Sequence, residues 1–241
     1  RAGRYNLCSY AEFLATPGCD GVFQEYVCLP ADFAHPVPAG LSVESAALIE
    51  PMSVGLAALQ RAHVGAGSRI LISGAGAIGL TTVGVAKALG AVEITITDLS
   101  AERLQRARSV GATTTFNMAT SGIVIPPQHF DSFIECSGSA AAVRRGFPAV
   151  RPAGRVVLVG RGADEVAMPV TLMQNRELTV CGSFRYANTF PTAIAMAAAG
   201  MVDLAVLADH HGGLEDLPAA LEFTRAASGG KAMIRPAPAS G

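Results

Sequence analysis

Six consecutive residues, Gly74-Ala75-Gly76-Ala77-Ile78-Gly79, place three glycines at the spacing G-x-G-x-x-G. The spacing suits a phosphate-binding corner. Gly74 permits a tight turn out of a strand, and Gly76 leaves the backbone bare for a pyrophosphate. Gly79 lets the following helix pack close to a sheet. A helix opening at this corner offers free N–H groups and a positive dipole end to phosphates, with Ile78 inside the turn. Asp98 follows 24 positions after Gly74. A carboxylate there accepts hydrogen bonds from ribose hydroxyls and repels a 2′-phosphate, which favours NAD over NADP. Two roles stay open for Asp98, ribose acceptor or cap of a helix starting near Ala101, and Ser100 can fill the second. Arg103 can accommodate a 2′-phosphate or lie along an adenine.

The elements that position these residues read as alternating strands and helices. Strands are expected at Arg69 to Ser73, Glu93 to Thr97, Thr113 to Phe116, Asp131 to Glu135, Arg155 to Val159 and Leu178 to Cys181. Helices are expected at Ala77 to Leu89, Ala101 to Val110, Ala140 to Val150, Pro191 to Ala199 and Pro218 to Ala227, with a last strand at Lys231 to Ile234. Apolar strand runs such as Ile70-Leu71-Ile72 suit burial on both faces. The fold class is therefore α/β, a doubly wound parallel sheet of the Rossmann type. Residues 1 to about 50 are irregular. Gly21 to Val27 alternates as a half-buried strand would, and small helices are expected from Ser42 to Leu59. Pro236 and Pro238 read as a tail.

The chain has 241 residues, 18 Lys and Arg against 19 Asp and Glu, and 50% hydrophobic residues. That near balance of charge gives no electrostatic reason for a nucleic acid or membrane partner. Five cysteines without a C-x-x-C pair suggest a reducing, cytoplasmic setting and not a disulfide framework. Ile70 to Val92 carries only Lys87 as a charge, but its glycines break it into strand, turn and helix, so it is not expected to span a membrane.

Several further runs carry a family resemblance: Gly3 to Cys8, Ala47 to Gly55 with Ile49-Glu50-Pro51, Thr97 to Ser100, Glu135-Cys136-Ser137-Gly138, and Phe184 to Thr189. Along nearly its whole length the chain resembles the zinc-dependent medium-chain dehydrogenases, within them the polyol (sorbitol) dehydrogenases. The resemblance implies a GroES-like, β-rich catalytic domain, with remnants at both ends (1–50 and 191–241), around a Rossmann domain (51–190). It implies NAD and zinc as cofactors, a polyol or secondary alcohol as substrate, and a homodimer or homotetramer.

The resemblance also assigns roles. Glu50 would face a catalytic zinc, directly or through water. Its alternative is a carboxylate in a helix first turn, stabilised by the dipole. Arg185 and Tyr186 would line the alcohol site, with Phe13 and Thr16 at its mouth. Val159, Gly160, Arg161, Ser183, Phe184 and Arg185 would meet the nicotinamide end of the cofactor. Cys8 matches the last cysteine of a four-cysteine structural zinc lobe, and its partners would lie upstream of Arg1. So would the main catalytic zinc ligands, since His35, His63, His129, His210 and His211 fall at no ligand position. His210-His211 read as solvated loop residues. The alternatives are a zinc-free medium-chain reductase of the quinone or enone type and a non-catalytic dinucleotide-binding protein.

Overall fold

The structure, a computed structural model, describes residues 3–225 and 230–236. Six parallel strands form the centre: Arg69–Ser73 (β1), Glu93–Asp98 (β2), Thr114–Asn117 (β3), Phe130–Glu135 (β4), Val150–Leu158 (β5) and Thr179–Gly182 (β6). Their order is β3-β2-β1-β4-β5-β6. The order reverses between β1 and β4. In an open α/β sheet, the crevice beyond the carboxyl ends at such a switch point is where ligands bind.

Burial on both faces explains the apolar strands. Ile70 and Ile72 enter one core with Ile94, Ile96, Ile134 and Val157. Leu71 points to the other core, among Phe130, Phe133, Phe147 and Val156. Each such side chain contributes about 1.5–3 kcal/mol when fully buried. The first core also takes Met52, Leu56 and Leu59 from Ile49–Arg61 (α2) and Leu80, Val83 and Ala86 from Ala77–Ala88 (α3). The two helices touch closely. A Cβ on Gly55 would lie 2.8 Å from Thr82 Oγ1 and 3.1 Å from Thr82 Cα. The remaining helices are Val43–Ala47 (α1), Ala101–Val110 (α4), Ala140–Gly146 (α5), Val170–Asn175 (α6), Phe190–Ala198 (α7) and Leu217–Arg225 (α8). Serines cap three of them: Ser42, Ser100 and Ser139 accept from Ser45 N, Arg103 N and Ala142 N.

Four expectations change. The alternation of Gly21 to Val27 forms no strand. Among the described residues before α1 there is one isolated bridge, Thr16 to Cys19. A strand needs a partner for its backbone, and Val22, Phe23 and Tyr26 are exposed. The helix expected to reach Val150 ends at Gly146, because Pro148 cannot donate to a helical ladder and a short 3-10 turn, Phe147–Ala149, replaces it. Strand β5 begins five residues early, and its pairing shifts register between Phe130 and Ser132 of β4. Helix α6 has no counterpart among the expected helices.

His210-His211 also leave the expected loop. They lie in Ala208–Gly212 (β7), which pairs in parallel with Lys231–Ile234 (β8). The ring of His210 stacks on Phe223 with centroids 5.2 Å apart, and its Nε2 is buried without a partner. The end of the expected Pro218 to Ala227 helix, and Pro238, lie outside the described residues.

Candidate dinucleotide site

The glycine corner joins β1 to α3. Gly74 has φ +88°, a left-handed value that a side chain disfavours. Its N–H donates to Thr97 O at 2.8 Å. A Cβ on Gly79 would lie 1.8 Å from Gly74 O, so the helix can approach the strand only with glycine there. Gly76 is the opposite case. A Cβ on it would meet no atom within 4 Å, so the corner is bare where a phosphate would approach. No side chain caps α3, whose N-cap is Gly76. The amides of its first turn, Ala77 to Gly79 with Ile78 between, thus lack partners within the helix. This open, uncapped corner fits the pyrophosphate of a dinucleotide.

Asp98 ends β2 beside that corner. Its Oδ2 accepts the Ala75 N–H at 2.6 Å and its Oδ1 accepts the Ser100 N–H at 2.9 Å. The helix cap belongs to Ser100, whose Oγ accepts from Arg103 N at 3.3 Å. Asp98 is therefore not the cap of α4. It ties the glycine corner to the loop after β2 and keeps lone pairs for a further donor. Arg103 sits in the first turn of α4, partly buried.

The far end of the crevice lies at β5 and β6. Val159 and Gly160 donate their N–H groups to Glu135 O at 2.8 and 2.9 Å. Val159, Gly160, Arg161, Ser183 and Phe184 line, with Arg4, a cleft of about 450 Å³. Ser183 N donates to Leu158 O, while the Ser183 hydroxyl is buried with no hydrogen-bond partner among the described residues. A buried orphan hydroxyl in a cleft suits a polar ligand group such as a carboxamide.

The loop after β6 is strapped to the N-terminal segment. Asn6, 5% exposed, donates its side-chain amide to Phe184 O at 2.7 Å. The Tyr5 hydroxyl accepts the Asn188 N–H at 2.8 Å. Phe13 packs edge-on against Phe184, and the Arg185 guanidinium lies 4.2 Å from the Phe13 ring centroid. Thr16 donates to Phe13 O at 2.6 Å. Phe13, Thr16, Phe184 and Arg185 thus assemble from segments far apart in sequence.

Glu50 occupies the first turn of α2, exposed, where the dipole favours its charge. It faces Tyr186. Burial, then the Glu50 charge and hydrogen bond, hold the Tyr186 hydroxyl above the usual phenol range, so it stays protonated. A protonated phenol beside an exposed carboxylate can donate to, or relay a proton from, a third oxygen.

Glu135 organises the crevice, a role the sequence alone did not reveal beyond the oddity of a glutamate ending an apolar strand. It is 1% exposed. Its Oε1 accepts from Ser73 Oγ at 3.0 Å, from the N–H groups of Ser137 and Gly138 at 2.8 and 3.0 Å, and from Ser137 Oγ. Desolvation, and then the Glu135 charge, push the neighbouring Cys136 thiol up to about 12, which leaves it an unreactive, partly buried side chain.

Among the described residues the zinc roles of Glu50 and Cys8 find no further ligands. Among the described residues no three His, Cys, Asp or Glu gather as a metal site. Cys8 is exposed and free. These residues do not by themselves amount to a site for zinc.

Residues 77–199 match the family profile described as zinc-binding dehydrogenase. This chain belongs to the zinc-binding dehydrogenase family. Sorbitol dehydrogenase of Mus musculus is 38% identical over 98% of this dehydrogenase, which spans 68% of that protein. The 2R,3R-butanediol dehydrogenase of Bacillus subtilis superposes with a TM-score of 0.89 at 28% identity, covering 98% of this chain and 70% of its own. A dehydrogenase structure from Sinorhizobium meliloti with NADP bound gives 0.88 at 29% identity, covering 96% and 70%. The zinc-binding dehydrogenase described above is thus an oxidoreductase of the medium-chain type, with the six-stranded parallel sheet expected of it. No helix among the described residues is long and apolar enough to cross a membrane.

Proposed function

We propose that this dehydrogenase oxidises a polyol or secondary alcohol to a ketone and delivers the hydride to NAD. The observation that carries the choice of NAD is the Asp98 carboxylate at the edge of the open glycine corner, where a 2′-phosphate would meet a fixed negative charge. The bound dinucleotide supplies the hydride-accepting nicotinamide ring; the chain supplies position and proton handling. The uncapped turn of α3 holds the pyrophosphate. Asp98 takes the ribose hydroxyls, and the Ser183 hydroxyl finds a partner in the carboxamide. Arg185, fixed on Phe13, presents its donors to substrate hydroxyls. Glu50 accepts the alcohol proton while Tyr186 stays protonated beside it.

The proposal extends to the arrangement of the chain. Residues 1–50 and 191–241 belong to a catalytic part around the dinucleotide domain of 51–190, and the working form is a homodimer or homotetramer. Zinc would polarise an alcohol oxygen, but the described residues contribute only Glu50 near that place, so no step above depends on it. The test is an initial-rate screen of the full-length enzyme on a polyol panel with NAD and NADP, with and without a chelator. NAD-linked oxidation of a polyol is expected. Turnover only with NADP, or only of an activated double bond, removes the proposal.

A further inference from the structure

Glu135 is a buried carboxylate without a buried cation to match it. Among the described residues no Lys, Arg or His forms an ion pair with it. A carboxylate removed from water is costly unless hydrogen bonds favour the charged form. Here two backbone N–H groups and two serine hydroxyls converge on Oε1, and all four can donate. The second oxygen, Oε2, is nearly bare. Among the described residues its one hydrogen bond is from the shared Gly138 N–H at 3.1 Å.

Oε2 lies beside Gly160, which lines the 450 Å³ cleft. A Cβ built on Gly160 would sit 2.7 Å from it and 2.2 Å from Gly138 N. Glycine at 160 therefore brings the charged carboxylate within one backbone thickness of the cleft lining. Glu135 also aligns with Ser73 across β1 and β4, so its charge sits at the switch point itself. Three cations line the cleft: Arg4 and Arg161 are exposed and Arg61 is half-buried. Solvent screens them more than it screens a carboxylate at 1% exposure.

We propose that Glu135 is a positioning residue that biases the cleft toward the oxidised, cationic nicotinamide ring. This inference rests on the dinucleotide reading above. The ring carries a positive charge before it accepts hydride and none after. A fixed buried negative charge therefore stabilises the oxidised form and leaves the reduced form nearly unaffected. The bias lowers the potential of the bound couple and favours release of the reduced product.

The test measures dissociation constants of NAD and NADH on the wild-type protein and on Glu135→Gln, by calorimetry for NAD and by fluorescence for NADH. Gln keeps the acceptor at Oε1 and removes the charge. About a tenfold weakening of NAD is expected, with NADH changed less than twofold; one partly screened charge suffices for that ratio. Equal weakening of both forms means that Glu135 only shapes the loops, and overturns the inference. Glu135→Asp keeps the charge and serves as the second variant. Its ratio of the two constants should stay within twofold of wild type even where both affinities fall, and a ratio shifted as in Glu135→Gln overturns the proposal. Wild-type protein that binds both NAD and NADH, with their ratio unchanged in Glu135→Gln, leaves the dinucleotide reading standing and removes only this one. Wild-type protein that binds neither form removes both.

Discussion

The Asp98 carboxylate accepts the backbone N–H of Ala75 at 2.6 Å, inside the glycine corner that it adjoins. One side chain thus ties down the glycine turn and, in the proposed complex, presents its charge to the ribose. Asp98→Ala is expected to weaken NAD at least tenfold while changing NADP much less, because the 2′-phosphate loses a repulsive neighbour as the turn loses a tie. Fluorescence titration with both reduced forms checks this. Equal loss for both cofactors would show that Asp98 serves only the turn.

Gly76 and Gly79 make a matched pair for mutation. Alanine at 79 would press its Cβ against Gly74 O, so Gly79→Ala should cost about 2–4 kcal/mol and visibly lower the thermal midpoint. Alanine at 76 meets no protein atom within 4 Å. Gly76→Ala should melt close to wild type yet lose dinucleotide affinity. A Gly76→Ala protein that binds NAD normally would place the pyrophosphate elsewhere.

The phenol of Tyr186 should be the last of the four tyrosines to ionise. Its folded-state value is raised above the unfolded one, so the stability linked to it is complete below about pH 10 and declines as pH rises beyond. Absorbance at the phenolate band during alkaline titration should show a late step that Tyr186→Phe abolishes. A Tyr186→Phe protein that loses amplitude from the main step near pH 10 instead contradicts the packing of this ring against Phe190 and Glu50.

Glu50→Gln in the full-length enzyme is expected to depress turnover by two orders of magnitude or so, the range of a lost proton acceptor, with NAD affinity almost intact. Steady-state rates beside a binding titration separate the two. Unchanged turnover would reduce Glu50 to a helix first-turn carboxylate.

The central elements were readable because their signals are local. Strands such as Arg69–Ser73 and helices such as Ala101–Val110 carry apolar runs, serine caps and glycine stops within a few residues. The glycine spacing with Asp98 likewise lies inside one strand-turn-helix-strand unit. Gly21 to Val27 misled because alternation reports a preference for a buried face without supplying the neighbouring strand. His210 and His211 read as solvated because two adjacent histidines look polar, whereas β7 packs the ring of His210 on Phe223.

Sequence alone determined the doubly wound sheet, the bare corner and the acid beside it, since each follows from steric or hydrogen-bonding needs of near neighbours. Only the tertiary structure decided that Ser100 and not Asp98 caps α4, that Arg185 is held on Phe13, that Glu50 faces Tyr186, and that Glu135 sits behind Gly160. Those relations join residues from separate strands and loops. Their distances are set by how the layers pack, which no spacing along the chain specifies.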